Sequence, residues 1–262
     1  MVSISDPPTG MRILVCNDDG ISSPGLDLLA RAALALEAEV WIVAPDRKWT
    51  AASHQLSFDR DLTLTRTGER SYACSGAPAD CVVAAMTVLF AGGAKPELVL
   101  AGINDKCNVA EDVAYSGTIA IAREATFWGV PAISLSRAER ATASDGAADL
   151  DALSRLLRVL WNRRGDWAAE GHWLSLNLPP SLPAPLVQAR TGRDKIAAAA
   201  DILDATHQSI RYRMRRGRPG TIIPGDENAC LAAGKISAVR YCWFAEARLP
   251  EAMVAAWSSA LE

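Results

Sequence analysis

The sequence holds no C-x-x-C pair. Its six cysteines, Cys16, Cys74, Cys81, Cys107, Cys230 and Cys242, are scattered, several of them inside apolar runs where a thiol behaves as a small hydrophobe. That spacing argues against a structural zinc site and against a disulfide framework. The opening MVSISDPPTG lacks the basic start and apolar stretch of a secretory signal and reads as a loose leader, and no window reaches the length of a membrane span. A cytoplasmic protein without membrane contact is the expectation. An excess of either charge is also missing, with 27 Lys and Arg against 30 Asp and Glu. A net charge of -3 supplies no sequence-wide basic footprint, and the one dense basic run, RYRMRRGR from Arg211 to Arg218, reads as a solvated hairpin, so no stable nucleic-acid binding is expected. Internal repeats are missing too, as is the G-x-G-x-x-G turn that lets a backbone approach a dinucleotide pyrophosphate.

What is present is a regular alternation. Half of the 262 residues are hydrophobic and 22% are charged, the balance of a globular chain of one large domain, or one domain plus an arm. Apolar runs such as RILVC, EVWIVAP, ELVLAG and PAISLS alternate with Ala/Leu-rich helical segments, PGLDLLARAALAL and GTIAIAREATFWG among them. Fully apolar strands in β-α-β order predict a mostly parallel sheet covered by helices on both faces. The alternation in LTLTR predicts an antiparallel detour before PADCV, and Leu153, Leu156, Leu157 and Leu160 mark one stripe of a later helix. HWLSLNLPP and APLVQAR read as further strands, Thr206 to Gly225 as a projecting hairpin, and NACLAAGKISAVRYCW as a short helix and a strand. Residues 1–10 are thus taken as leader, 11–140 as core, and 141–262 as the rest of the same domain ending in a hairpin and helix extension for oligomerisation.

Two loops carry the chemistry. ILVCNDDG ends the first strand with an asparagine, the adjacent carboxylates of Asp18 and Asp19, and a glycine. Open α/β sheets bind ligands at such strand ends, and two neighbouring like charges there need solvent, a cation or a shifted pKa. The bland alternative is a strand-ending turn with both aspartates solvated. A second loop, AGINDKCNVAEDVAYSGT, follows the strand ELVL and brings Asn104, Asn108, Ser116, Gly117 and Thr118 to the start of a helix. Ser116 is a natural N-cap, and the free N-H groups of a helix start favour phosphate.

In order and spacing, RILVCNDDGISSPGLDLLA, WIVAPDRKWTAASHQLSF, CSGAPADCV, AGINDKCNVAEDVAYSGT and GVPAISLS resemble the SurE family of metal-dependent 5'/3'-nucleotidases. The resemblance is strong from about Arg12 to Ser136, with echoes in LSLNLP and LAAGKISAV. It implies a Rossmann-like three-layer α/β/α core with a C-terminal extension that packs or swaps between protomers, and a phosphomonoesterase acting on nucleoside 5'- and 3'-monophosphates, and also on short polyphosphate, through attack on phosphorus by a water that a divalent ion activates. One Mg2+ or Mn2+ per subunit and a homodimer or homotetramer are implied as well. The metal ligands fall on Asp18, Asp19, Asn104 and Thr50, where the family has serine. Asp18, Asn108 and Ser116 are carried over as catalytic, and Asn108, Ser116, Gly117 and Thr118 as the phosphate site, while Asn17 shapes the loop. Oxygen ligands of this kind suit magnesium or manganese.

The second loop departs from the family pattern at three places: Ala101 replaces a serine, and Lys106 and Ala110 replace glycines. Lost glycines threaten special backbone angles at a cost of about 1 kcal/mol each. The Lys106 ammonium is expected either to meet substrate, to pair with Asp105, Glu111 or Asp112, or to be solvated at the loop tip. Trp49 is bulky beside an entering nucleotide, and His54 either touches substrate or holds the loop. A SurE-like paralogue that binds nucleotide or phosphate with weakened turnover is the alternative, and the acidic pair alone also fits a phosphorelay receiver, which the second loop and the length do not.

Overall fold

The computed structural model describes residues 10–139, 146–197, 199–215, 217–245 and 248–259. The expected leader, apart from Gly10, lies outside them. In chain order the elements are β1 (Arg12–Cys16), α1 (Pro24–Leu34), β2 (Glu39–Pro45), β3 (Leu64–Gly68), β4 (Ser71–Cys74), α2 (Pro78–Ala84), β5 (Leu98–Asn104), α3 (Asp112–Tyr115) and α4 (Gly117–Phe127). There follow β6 (Ala132–Arg137), α5 (Gly146–Asn162), α6 (Arg164–Trp167), β7 (His172–Leu178), β8 (Leu186–Gln188), β9 (Ala200–Ala205), β10 (Ile210–Met214), α7 (Glu227–Ala232), β11 (Ile236–Cys242) and α8 (Glu251–Ser259).

Among the described residues, nine strands form one sheet in the order β3-β4-β2-β1-β5-β6-β7-β11-β8. The run from β4 to β7 is parallel, and antiparallel pairs occur only where β3 meets β4 and β11 meets β7. The expected mostly parallel α/β core is therefore present, as is the antiparallel detour at its edge. β1 shows why its residues had to be apolar throughout. Ile13 and Val15 join the core under α1 and α5, whereas Leu14 and Cys16 join the core under α2 and α4, so successive side chains of one strand are buried on opposite faces. Each aliphatic side chain buried in this way contributes about 1.5–3 kcal/mol.

Helix ends are set by local chemistry. Ser23 caps α1 by accepting from the Leu26 N-H, with Pro24 in the first turn, and the buried face runs through Leu26, Leu29 and Ala33. α5 buries Leu153, Leu157 and Leu160, with Leu156 half-buried beside them, as the stripe predicts.

The hairpin differs from its expected place. It is β9 with β10, spanning Ala200 to Met214, so it begins earlier than Thr206 and ends earlier than Gly225. The reason lies in residues 217–225, which fold back onto the core: Asp194 accepts from the Gly220 and Thr221 N-H groups, and Arg218 reaches Asp112. α8 follows at the C-terminal end of the extension, at limits that the sequence reading did not give.

Candidate functional site

β1 lies between β2 and β5, so the chain leaves β1 toward one edge of the sheet and returns to its other side. Ligands in open α/β sheets bind in the crevice at that reversal, beyond the carboxyl ends of the two strands. NDDG and the second loop are the two loops that meet there.

The first loop is held by its own asparagine. Asn17 Nδ2 donates to the Gly20 carbonyl at 3.1 Å and to Ser23 Oγ at 2.6 Å, and Gly20 N-H donates back to Asn17 Oδ1. Gly20 has a φ of +100°, and a Cβ there would stand 3.2 Å from the Arg47 backbone, so glycine is required on both counts. Residues 46–50 are thereby pressed against NDDG, and the Trp49 N-H donates to the Asp18 carbonyl at 2.7 Å. Thr50, the next residue, is exposed.

Asp18 is buried, and Thr118 Oγ1 donates to its Oδ1 at 2.5 Å. A Cβ on Gly117 would stand 2.9 Å from Asp18 Cβ and 3.0 Å from Asp18 Oδ2, so the carboxylate is packed directly against the start of α4. Burial, backed by the charge of Asp19, pushes the Asp18 carboxyl up to about 6 in spite of the Thr118 hydrogen bond. Ser116 caps α4 by accepting from the Ile119 N-H at 3.1 Å, which leaves its hydroxyl proton free to be given elsewhere. The structure thus brings Asp18, Ser116, Gly117 and Thr118 together.

Asp19 faces a cation. Lys48 Nζ lies 2.5 Å from Asp19 Oδ1 and 2.6 Å from Asp105 Oδ2, while the Asp105 N-H donates to Asp19 Oδ2 at 3.2 Å. Burial opposes the charge of Lys48, but its bonds to Asp105 and Asp19 outweigh that and hold the ammonium above the usual lysine range. Asn104 turns its amide nitrogen onto the Lys106 carbonyl at 2.6 Å, leaving the amide oxygen for a ligand.

Asn108 is committed more deeply than expected. Its N-H donates to Asn177 Oδ1 at 2.8 Å, its Nδ2 donates to Ser136 Oγ at 2.8 Å, and Asn177 Nδ2 donates back to its carbonyl. The partners that the sequence offered for Lys106 are all taken by other cations: Asp105 by Lys48, Glu111 by Arg193 and Asp112 by Arg218. His54 holds the loop, with Nε2 2.7 Å from Glu124 Oε2 and its ring stacked on Phe127. Sequence reasoning missed the Thr118 hydroxyl, Lys48 and the pair Ser136 and Asn177. All stood in stretches already singled out, Thr118 in AGINDKCNVAEDVAYSGT, Lys48 in WIVAPDRKWTAASHQLSF, Ser136 in GVPAISLS and Asn177 in LSLNLP, but nothing in those stretches specifies their partners.

A cation fits the donor set. Two carboxylates, an amide oxygen and a hydroxyl are hard ligands, and Asp19 already bears one cationic group. The set includes only two carboxylates, and among the described residues no group of three or more His, Cys, Asp or Glu side chains is placed to hold a metal ion.

The family model described as "Survival protein SurE" matches residues 13–199. A 5'-nucleotidase SurE of Azorhizobium caulinodans is 35% identical over 232 residues, covering 87% of this chain and 91% of the relative. One from Methylocella silvestris is 48% identical over 128 residues, 49% of this chain and 50% of its own. The crystal structure of a SurE protein from Aquifex aeolicus superimposes with a TM-score of 0.77 at 25% identity, covering 95% of this chain and 99% of that one.

Proposed function

The chain belongs to the SurE family, and on that premise we propose that it is a divalent-metal-dependent phosphomonoesterase hydrolysing nucleoside 5'- and 3'-monophosphates, with short polyphosphate as a further substrate. The observation that carries the reading is the buried Asp18 carboxylate, clasped between the Thr118 hydroxyl and the start of α4 at the reversal point of the sheet. Relatives named as 5'-nucleotidases support the same class of substrate.

Asp18, Asp19, the Asn104 amide oxygen and the Thr50 hydroxyl would hold Mg2+ or Mn2+. When bound, such an ion supplies Lewis-acid polarisation of the phosphoryl group and of a water. The chain's own groups do the rest. The Gly117 and Thr118 N-H groups belong to the first turn of α4, where a helix cannot satisfy its donors internally, and they accept phosphoryl charge together with the helix dipole. Ser116 donates its hydroxyl proton to the same oxygens, and Asn108 adds the amide hydrogen not given to Ser136. Asp18, fixed by Thr118, orients the attacking water. The hairpin of β9 and β10 is assigned to assembly of a homodimer or homotetramer.

Phosphate release from a panel of nucleoside 5'- and 3'-monophosphates and short polyphosphate, with Mn2+ or Mg2+, tests this reading. Release that stops on chelation is expected. Nucleotide binding without release would make the chain a binding paralogue instead.

A further inference from the structure

We propose that Lys48 is a built-in counter-ion of the acidic pair that competes with the divalent cation for Asp19 and so sets the chain's affinity for that cation. The inference rests on the cation site proposed above and deepens it.

The geometry is specific to contact. Lys48 Nζ lies 2.5 Å from Asp19 Oδ1 and 2.6 Å from Asp105 Oδ2, so one ammonium bridges a carboxylate of the first loop and one of the second. The two acceptors differ. Asp19 has a side chain only 8% exposed, whereas that of Asp105 is 59% exposed and that of Lys48 50% exposed. The other Asp19 oxygen accepts from the Asp105 N-H and the Asp18 Oδ1 from Thr118, and of these partners only Lys48 carries a positive charge that opposes an incoming ion.

An ammonium and a divalent ion on the same carboxylate oxygen repel each other strongly at that separation. Entry of a divalent ion at Asp19 therefore works against the Lys48 contact, and the exposed Asp105 gives the ammonium a place to stay. The Lys48 backbone need not move, because the Trp49 N-H bond to the Asp18 carbonyl fixes the loop. A lysine suits this part: four flexible carbons let a compact charge swing by a few ångströms. Without the ion, the same contact sets a positive charge against Asp19 beside the neighbouring Asp18 carboxylate.

Arg47 provides the control. Its guanidinium lies 4.9 Å over the Trp49 ring and carries the same unit charge one residue away, outside contact with Asp19. Calorimetric titration of Mn2+ into the native protein, Lys48→Met and Arg47→Met, joined to melting curves in chelator, tests the role. The Lys48 variant is expected to bind Mn2+ on the order of fivefold more tightly, with the Arg47 variant nearly unchanged, since contact rather than diffuse charge is removed. In chelator the Lys48 variant should melt below the native protein. Equal gains in both variants, or native affinity in Lys48→Met, would overturn the role while leaving the cation site standing. Absence of Mn2+ heat from the native protein would instead overturn the cation site and this role with it.

Discussion

Asp18 shows how much one side chain depends on partners distant in sequence. Thr118 stands 100 positions away and donates to it at 2.5 Å inside the protein. Hydrogen bonds to charged groups contribute about 1.5–3 kcal/mol, so Thr118→Val, which keeps the shape and removes the donor, should weaken Mn2+ binding and lower kcat/KM by an order of magnitude or more. Native affinity in that variant, measured by calorimetry, would detach Thr118 from the site. The raised carboxyl also fixes a pH dependence. An aspartate in the unfolded chain ionises near 3.8 and Asp18 in the folded chain near 6, so the fold holds this proton more tightly. Its contribution to stability is full at acid pH and is lost as pH rises from 3.8 through about 6, a swing of ~3 kcal/mol. A divalent ion takes the proton's place, so the rise in Tm on adding Mn2+ should be small near about pH 5 and large near about pH 7.5. An equal rise at both would contradict the assignment. NDDG and YSGT were legible as site residues because each ends or begins an element at the sheet edge. The Thr118 to Asp18 bond was not, because nothing in either stretch specifies the other.

Elements explain the departures of the second loop. Ala110 has a φ of +53°, the left-handed angle that a glycine would adopt freely, and its N-H is held by Glu227 at 2.9 Å. The strain foreseen at that position is therefore present. Lys106 is not among the residues of positive φ, so the loss of glycine there carries no such cost. What holds the strained loop comes from the far end of the chain: Glu227 on α7, and Arg218, whose Nη2 lies 2.6 Å from the buried Asp112 carboxylate. Arg218→Met should cost about 1–3 kcal/mol and speed amide hydrogen exchange in residues 109–115, with the exchange of β1 unchanged. Native exchange in the loop would show that the arm merely lies against it. Strands and helices were legible from apolar periodicity. The anchoring arm was not, because residues 217–225 have neither strand nor helix period and owe their path to contacts with other segments, Asp194, Asp112, Arg190 and Asn228 among them.

At the scale of the whole molecule, the hairpin of β9 and β10 is a two-stranded sheet joined to no other strand among the described residues. Ile202, Leu203, Ile210, Tyr212 and Met214 are exposed on it. An isolated hairpin is marginal in water, and apolar side chains on both strands call for a covering surface. The dimer or larger assembly should appear by light scattering at micromolar concentration, and Ile210→Asp combined with Tyr212→Asp should reduce it to monomer. A native monomer would contradict the role given to the extension. The sequence was read correctly on the existence of a hairpin and wrongly on its limits. Strands whose apolar side chains are exposed pack on no core that would fix their ends, so their limits do not follow from the sequence pattern.

The central claim is that a cation held at Asp18 carries out phosphate release, and Asp18→Asn tests it most directly. Asparagine keeps the shape and can still accept from Thr118, while removing a buried charge. Measured side by side with the native protein, the variant should fold with a Tm in chelator at or above the native value, lose the Mn2+-dependent rise in Tm, and release little or no phosphate from nucleoside monophosphates. Native rates of release from a folded Asp18→Asn protein would contradict the account.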